Sequence, residues 1–294
     1  MSSPAVAGRH LLLYKQTKTN SERFLPATAG FGMTKSIFTV LEVYDDDASR
    51  SASMNMAIDE ALLESATVPL LRLYRWGHAA LSFGYFGKFA DVEARGKERE
   101  LVRRWTGGGI VLHGDDLTYS VVIPAGDLAF AYSTMSIYEK VHEALRETLG
   151  ATGQHAELAP VAAVYDRRSN VIPSEVEESL TIPDIARDVS TPLDMTRALT
   201  ERRYNQNACF ANPVRADVLV NGQKVAGAAQ RRTRAGLLQQ GSIQRVDLAE
   251  DFAGRFAAQL ASTCHYRQLN GAVIEHANQI AAQKYGSEMW LRRR

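Results

Sequence analysis

Arg103-Arg104-Trp105-Thr106-Gly107-Gly108-Gly109-Ile110-Val111-Leu112-His113 places three consecutive glycines between two strand-like runs. Glycine weakens a strand, so three together mean that backbone must approach something closely. The N–H groups of such a turn can hold an anion or a carbonyl oxygen, and Arg103 and Arg104 stand just before it. A plain glycine-rich strand corner would use the same residues. Two nucleotide-binding patterns fail here. No Gly-Lys-Ser/Thr follows, and Leu112 stands where the last glycine of a dinucleotide fingerprint belongs.

Outward from this turn the chain alternates between helix-like and strand-like segments. Residues 53–66 carry Met54, Ile58, Ala61, Leu62 and Ser65 at helical spacing, with Ser51 and Ser53 available as caps. Leu71–Trp76 and Ala80–Phe86 read as strands. Residues 137–149 read as a helix with a Ser136/Glu139 capping box and Gly150 as its stop. Asn221-Gly222 between Asp217–Val220 and Gln223–Val225 signals a tight hairpin. Residues 273–285 read as a last amphipathic helix ended by Gly286. Hairpins this frequent predict an α+β fold with a mixed, largely antiparallel sheet and packed helices.

Two stretches break the pattern. Residues 1–32 show no sustained period and read as a disordered leader, with Met33 as an alternative start before the strand Ile37–Val43. Residues 166–205 hold Pro173, Pro183 and Pro192 and the run Glu175-Val176-Glu177-Glu178, and read as a mobile insertion. Its stretch Asn170–Ser179 resembles a translated bacterial intergenic repeat. Residues 33–294 are therefore expected to form a single domain, roughly 220 residues without the insertion.

Composition excludes several classes. The 294 residues hold 45% hydrophobic and 23% charged side chains, the balance of a globular protein. The formal net charge of +1 argues against binding nucleic acid through bulk positive charge. Two cysteines, Cys209 and Cys264, cannot build a disulfide framework and fit a reducing, cytoplasmic setting. No apolar run reaches the ~20 residues of a membrane span.

A second constellation is Cys209-Phe210-Ala211-Asn212-Pro213, followed by Asp217…Asn221-Gly222-Gln223-Lys224-Val225-Ala226-Gly227-Ala228-Ala229-Gln230. Alone, Lys224 reads as a solvated strand charge and Cys209 as a small buried hydrophobe. Together with the glycine turn, His113 and Leu117-Thr118-Tyr119-Ser120, they resemble the lipoate/octanoate protein ligase and transferase family. The similarity begins at Asn55-Met56-Ala57-Ile58-Asp59-Glu60-Ala61-Leu62. It runs through Leu71–Trp76, Leu81–Phe86 and Gly236–Ile243 to Lys284-Tyr285-Gly286-Ser287-Glu288-Met289-Trp290.

The resemblance implies the catalytic α+β domain shared with biotin protein ligases, although the Gly-Arg-Gly-Arg motif of the biotin enzymes is absent. It also implies attachment of an octanoyl or lipoyl group to one lysine of a small carrier domain. Two chemistries occur in the family: ATP- and Mg²⁺-dependent ligation of lipoate, and cofactor-free transfer from an acyl-carrier thioester through a cysteine. Cys209 with Phe210 and Pro213, fifteen residues before Lys224, resembles the nucleophile loop of the cysteine-dependent octanoyltransferases. The chain also ends soon after Trp290, where many two-step ligases continue into an accessory domain. The expected donor is acyl carrier protein, and the expected acceptor a lipoyl domain or the glycine cleavage H protein.

On this reading Cys209 is the nucleophile. Lys224 lowers its pKa, holds the acyl carbonyl oxygen, or in a ligase grips the adenylate. Arg103, Arg104, Thr106, Gly107, Gly108, Gly109, His113 and Gly227 line the substrate groove, and Trp76, Val111 and Ala228 wall the acyl chain. His113 orders the turn or serves as a base. No metal is expected, with Asp217 a ligand only in an adenylating enzyme. Cys264 reads as structural and Arg292-Arg293-Arg294 as a solvated tail. Gly87 departs from the family, which commonly has glutamine there. A non-catalytic acyl- or carrier-binding protein, disabled by the insertion, is the remaining reading.

Overall fold

The central strands of a large sheet are buried along nearly their whole length, so the side chains they send to each of its two faces are covered. The computed structural model describes residues 36–160, Phe210 and 213–293. The leader, the insertion and Cys209 lie outside the described residues.

The chain opens with β1 (Phe38–Asp46), α1 (Ala52–Ser65), β2 (Leu70–Tyr74), β3 (Ala80–Phe83), β4 (Glu100–Arg103), β5 (Ile110–His113) and β6 (Leu117–Pro124). It continues with α2 (Thr134–Gly150), β7 (Ala156–Leu158), β8 (Val218–Val220), β9 (Gln223–Arg232) and β10 (Gly236–Ile243). The last elements are α3 (Phe252–Leu260), β11 (Ala261–Arg267), α4 (Gly271–Ile280), a π-helical turn over Ala281–Tyr285, and α5 (Glu288–Leu291). Eight strands form the large sheet in the order β11-β1-β2-β6-β10-β9-β8-β7, and three form a small sheet, β4-β3-β5. The large sheet is parallel only where β1 meets β11 and β2. The mixed, largely antiparallel α+β architecture read from the sequence is the one observed.

On one face Leu71, Leu73, Tyr119, Val121, Ile123 and Leu237 pack with α2 and α3. On the other, Leu70, Tyr74, Val122 and Leu238 pack with α1 and α4. Among the described residues no helix is long and apolar enough to cross a membrane.

The local signals hold in part. Ser51 caps α1, accepting from Met54 N–H. Asn221 and Gly222 take φ 51° and 75°, the left-handed pair that a two-residue hairpin turn requires. The second helix starts a turn earlier than its capping-box pattern indicates, because Ser133 competes as cap and accepts from Ser136 N–H at 3.0 Å. Gly150 is the last helical residue rather than the stop. The segment after Phe83 leaves its strand because Gly84 packs on the backbone of Gly107 and Gly108, where a Cβ would lie 2.1 Å from the Gly108 oxygen. The last helix breaks into α4 and the π turn, and Gly286 sits in the right-handed region at φ −89°.

Beneath α1 lies a buried polar group. Arg72, fully buried, donates to Asp46 at 2.7 Å, to Asp59 at 2.8 Å and to Asn55 Oδ1 at 2.9 Å. Asp59 also accepts from Tyr74, Ser120 and Gln240. Removing one charge would leave the others buried without compensation. Arg72→Met is expected to cost about 3–5 kcal/mol in urea unfolding; a loss below about 1 kcal/mol would contradict this structural role.

Candidate active site

Register places the site. Gly227 on β9 faces Ser242 on β10, which faces Thr118 on β6, which faces Tyr74 on β2. One step along, Ala229, Gln240, Ser120 and Arg72 form a parallel row. These rows are small or polar where the rest of that face is aliphatic, so the small sheet covers a crevice there instead of packing flush. The crevice is narrow and open to solvent, with a cavity volume of about 30 Å³. It crosses three strand spacings, roughly 14 Å. Met56, Trp76, Val111, His113 and Ala228 are among its walls. Trp76 stacks on His113 at 3.9 Å and donates to Thr118 at 2.7 Å.

The glycine turn is tied from three sides. Arg104 donates to the carbonyls of Gly107 and Gly109, at 3.0 and 2.8 Å, and to Ser82 Oγ at 2.6 Å. Gly108 needs its lack of a side chain, with φ +83° and Ala229 and Arg104 pressed against the Cβ position. Thr106 donates to Gln240, which donates to Asp59, so the turn is linked to the buried Arg72 group. Arg103 points elsewhere. Fully buried, it donates to the carbonyls of Tyr85, Gly87, Trp290 and Leu291, while Trp290 Nε1 donates back to the Arg103 carbonyl. Arg104, Trp76, Val111, His113, Gly227 and Ala228 thus meet at the crevice; Arg103 braces it from behind.

At the β9 end sits a buried ion pair. Lys224 Nζ lies 2.7 Å from Asp217 Oδ2, with side-chain exposures of 2% and 0%. Asp217 also accepts from Tyr138 Oη at 2.6 Å and from Val214 N–H at 2.6 Å. Tyr138 in turn accepts from Ala228 N–H, on the crevice wall. Gly227 makes room for the pair, since a Cβ there would lie 2.6 Å from Lys224 Cε and 2.7 Å from Nζ. Ala216, just before Asp217, is held at φ 64°, a conformation costly for a residue with a side chain. Both Asp217 oxygens face protein donors, the arrangement of a charge partner rather than of a metal ligand. Among the described residues no cluster of three or more His, Cys, Asp or Glu could hold a metal. The ring of Phe210, the residue after Cys209, lies 5.4 Å from Lys224 Nζ.

His113 Nδ1 lies 2.8 Å from Asp116 and its Nε2 lies 2.6 Å from Ser82 Oγ. Burial holds the ring below the ordinary histidine value, and the hydrogen bond and charge of Asp116 only partly reverse this. In the neutral ring Nδ1–H donates to Asp116 and Nε2 accepts from Ser82, which leaves no lone pair for a base. Burial pushes the Asp116 carboxyl up, but hydrogen bonds from His113, Gly114 N–H and Ser242 outweigh it and hold it low.

Residues 51–252 match the lipoyl protein ligase A/B catalytic domain family. The chain belongs to that family. The octanoyltransferase LipM of Oceanobacillus iheyensis is 32% identical over 206 residues, covering 67% of this chain and 62% of the relative. That of Bacillus subtilis is 33% identical over 214 residues, covering 70% and 66%. The chain therefore spans slightly less than two thirds of the length of these relatives. The bi-partite lipoate protein ligase of Thermoplasma acidophilum, described with its E2 lipoyl domain, shares the fold at TM-score 0.57. It is 17% identical, with 87% of this chain and 96% of that chain covered.

Sequence reasoning missed three residues that build this site in the lipoyl ligase family fold. Tyr138 reads only as one buried position of an amphipathic helix, and its bond to Asp217 spans 79 residues. Asp116 looks like a loop carboxylate, yet it joins His113, Thr118 and Ser242. His142 was invisible for the same reason. It lies against Asp217, with Nδ1 2.6 Å from the Ala216 carbonyl and Nε2 2.8 Å from Tyr119 Oη.

Burial pushes His142 down to about 4, against the opposing pull of the Ala216 carbonyl and Asp217. Between about 6.5 and that value the unfolded chain binds this proton and the folded chain does not. Stability should therefore fall as pH drops through the window, by up to about 1.4 kcal/mol per pH unit from this group. Urea titrations at several pH values should show a shallower fall in His142→Gln. Parallel curves would contradict the assignment.

Proposed function

We propose that the chain transfers an octanoyl or lipoyl group from an acyl carrier protein thioester to a lysine of a lipoyl domain or glycine cleavage H protein, through a thioester on Cys209. The observation that carries this reading is the buried Lys224–Asp217 pair at the end of an apolar crevice, with Phe210 over Lys224. The relatives named octanoyltransferase LipM support it.

The Cys209 thiolate attacks the donor carbonyl, a carbon–sulfur bond forms, and the carrier thiolate leaves and takes up the proton that Cys209 lost. Free cysteine is mostly protonated at neutral pH, so a cation held nearby raises the reactive fraction. The same ammonium can bind the oxyanion as the carbonyl turns tetrahedral. The two thioesters are similar in energy, so this step draws on no ATP or metal. The acceptor lysine then attacks as its free amine. An amide forms, the carbon–sulfur bond to Cys209 breaks, and the amine proton restores the thiol. Burial of the acyl chain at about 0.8 kcal/mol per CH₂ contributes roughly 5–6 kcal/mol to donor binding.

Incubation with octanoyl-carrier protein should add the mass of one octanoyl group to the intact protein, and Cys209→Ala should gain none and lose transfer. Full transfer by Cys209→Ala would overturn the proposal, as would lipoate-dependent pyrophosphate exchange with ATP in that variant.

A further inference from the structure

Past the glycine turn from Lys224, cations converge on a group of aromatic rings. Arg231 has its guanidinium carbon 5.1 Å from the Tyr85 ring centre and 5.0 Å from that of Trp105. Arg293 approaches the same Tyr85 at 4.9 Å and Trp290 at 5.4 Å. Lys284 Nζ lies 4.2 Å from Trp105. Lys284 is matched, bonding both oxygens of Glu60 at 2.7 and 2.6 Å. Arg231 and Arg293 form no ion pair among the described residues. The chain as a whole is nearly neutral, at +1, so this is a local concentration of charge.

The crowding acts on the neighbours. Burial lowers the pKa of both Arg103 and Lys284, and the charge of Arg293 adds to the first and that of Arg231 to the second. Two guanidiniums held near one tyrosine repel each other, and an anion bound by both would offset that repulsion. The planar fork of arginine suits phosphate oxygens, and the flanking rings fix its orientation.

Spacing names the anion. Arg231 lies four residues beyond Gly227 on β9 and on the same face, about 13 Å away. Gly227 is the residue against which Lys224 packs. In a 4′-phosphopantetheine thioester about fourteen bonds separate the acyl carbon from the phosphorus, equivalent to between four and five extended residues or ~16 Å, a span that the reach of the Arg231 side chain beyond its own backbone accommodates.

We propose that Arg231 and Arg293 form a phosphate site for the prosthetic arm of the thioester donor, fixing that arm while its acyl end lies beside Lys224. The inference rests on the transfer reading above but is measurable without turnover. Calorimetric titration with 4′-phosphopantetheine and with pantetheine should show the wild-type protein preferring the phosphorylated arm by about tenfold. Arg231→Gln with Arg293→Gln should erase that preference, Arg231→Lys should keep part of it, and Arg255→Gln, at an exposed Asp251 pair, should leave it intact. Equal affinity of the wild-type protein for both arms, or a preference that survives the double variant, would overturn the proposal. A preference seen only with intact carrier protein would also overturn it, pointing instead to an acidic protein face. If octanoyl-pantetheine acylates the protein but no phosphate preference exists, the transfer reading stands and the phosphate site falls. A phosphate preference without any acylation would support the site and remove the transfer reading.

Discussion

A lysine and an aspartate held 2.7 Å apart out of water are the constraint around which the site is built. Removing two such charges from solvent costs several kcal/mol for each, and their attraction offsets this only with good geometry and further hydrogen bonds. Tyr138 and Val214 N–H supply those bonds to Asp217. Gly227 supplies the space, since any side chain there would displace Lys224. The β8–β9 hairpin keeps the sequence separation short, and the strained Ala216 sets the approach to Asp217. Each feature looks like an isolated local oddity until the ion pair connects them.

The floor of the crevice and the glycine turn beside it belong to different sheets, joined by apolar packing of Ala80 and Val102 with Leu70, Tyr74 and Val122 and by hydrogen bonds. Thr106, Gln240, Asp59 and Arg72 link the turn to α1 and the large sheet. Asp116 does the same for His113, Thr118 and Ser242. Bonds of this kind fix geometry more narrowly than aliphatic packing does, and the proposed acyl transfer would depend on geometry at the carbonyl. Under the proposed transfer, the walls around the acyl chain can then be plain apolar surface.

Much of this was legible in the sequence, and the rest was hidden for identifiable reasons. Periodicity and turn chemistry gave the α+β class, the Ser51 cap and the Asn221-Gly222 hairpin, all of which rest on contacts within a few residues. The glycine turn announced itself because Gly108 takes φ +83°, where a side chain is strained, with Ala229 and Arg104 close to the Cβ position. Arg103 and Arg104 look equivalent as neighbours, but strand alternation sends them apart. Arg104 goes to the turn and Arg103 to the carbonyls of the C-terminal segment. Tyr138, Asp116 and His142 carry no local signal, because their partners are brought near by the fold alone. Helix ends were misjudged where two serines compete as caps and where a π turn replaces the expected continuation.

Whether Lys224 acts as a unit with Asp217 is tested most directly by a double-mutant cycle on the acylation step. The rate of acyl-enzyme formation from octanoyl-carrier protein would be measured by rapid quench and intact mass for Lys224→Met, Asp217→Asn and the two combined, each checked for native circular dichroism. If the pair is one unit, either single change slows acylation about a hundredfold and the double variant is no slower than the worse single. Multiplying effects, or near-normal acylation in Asp217→Asn, would contradict it.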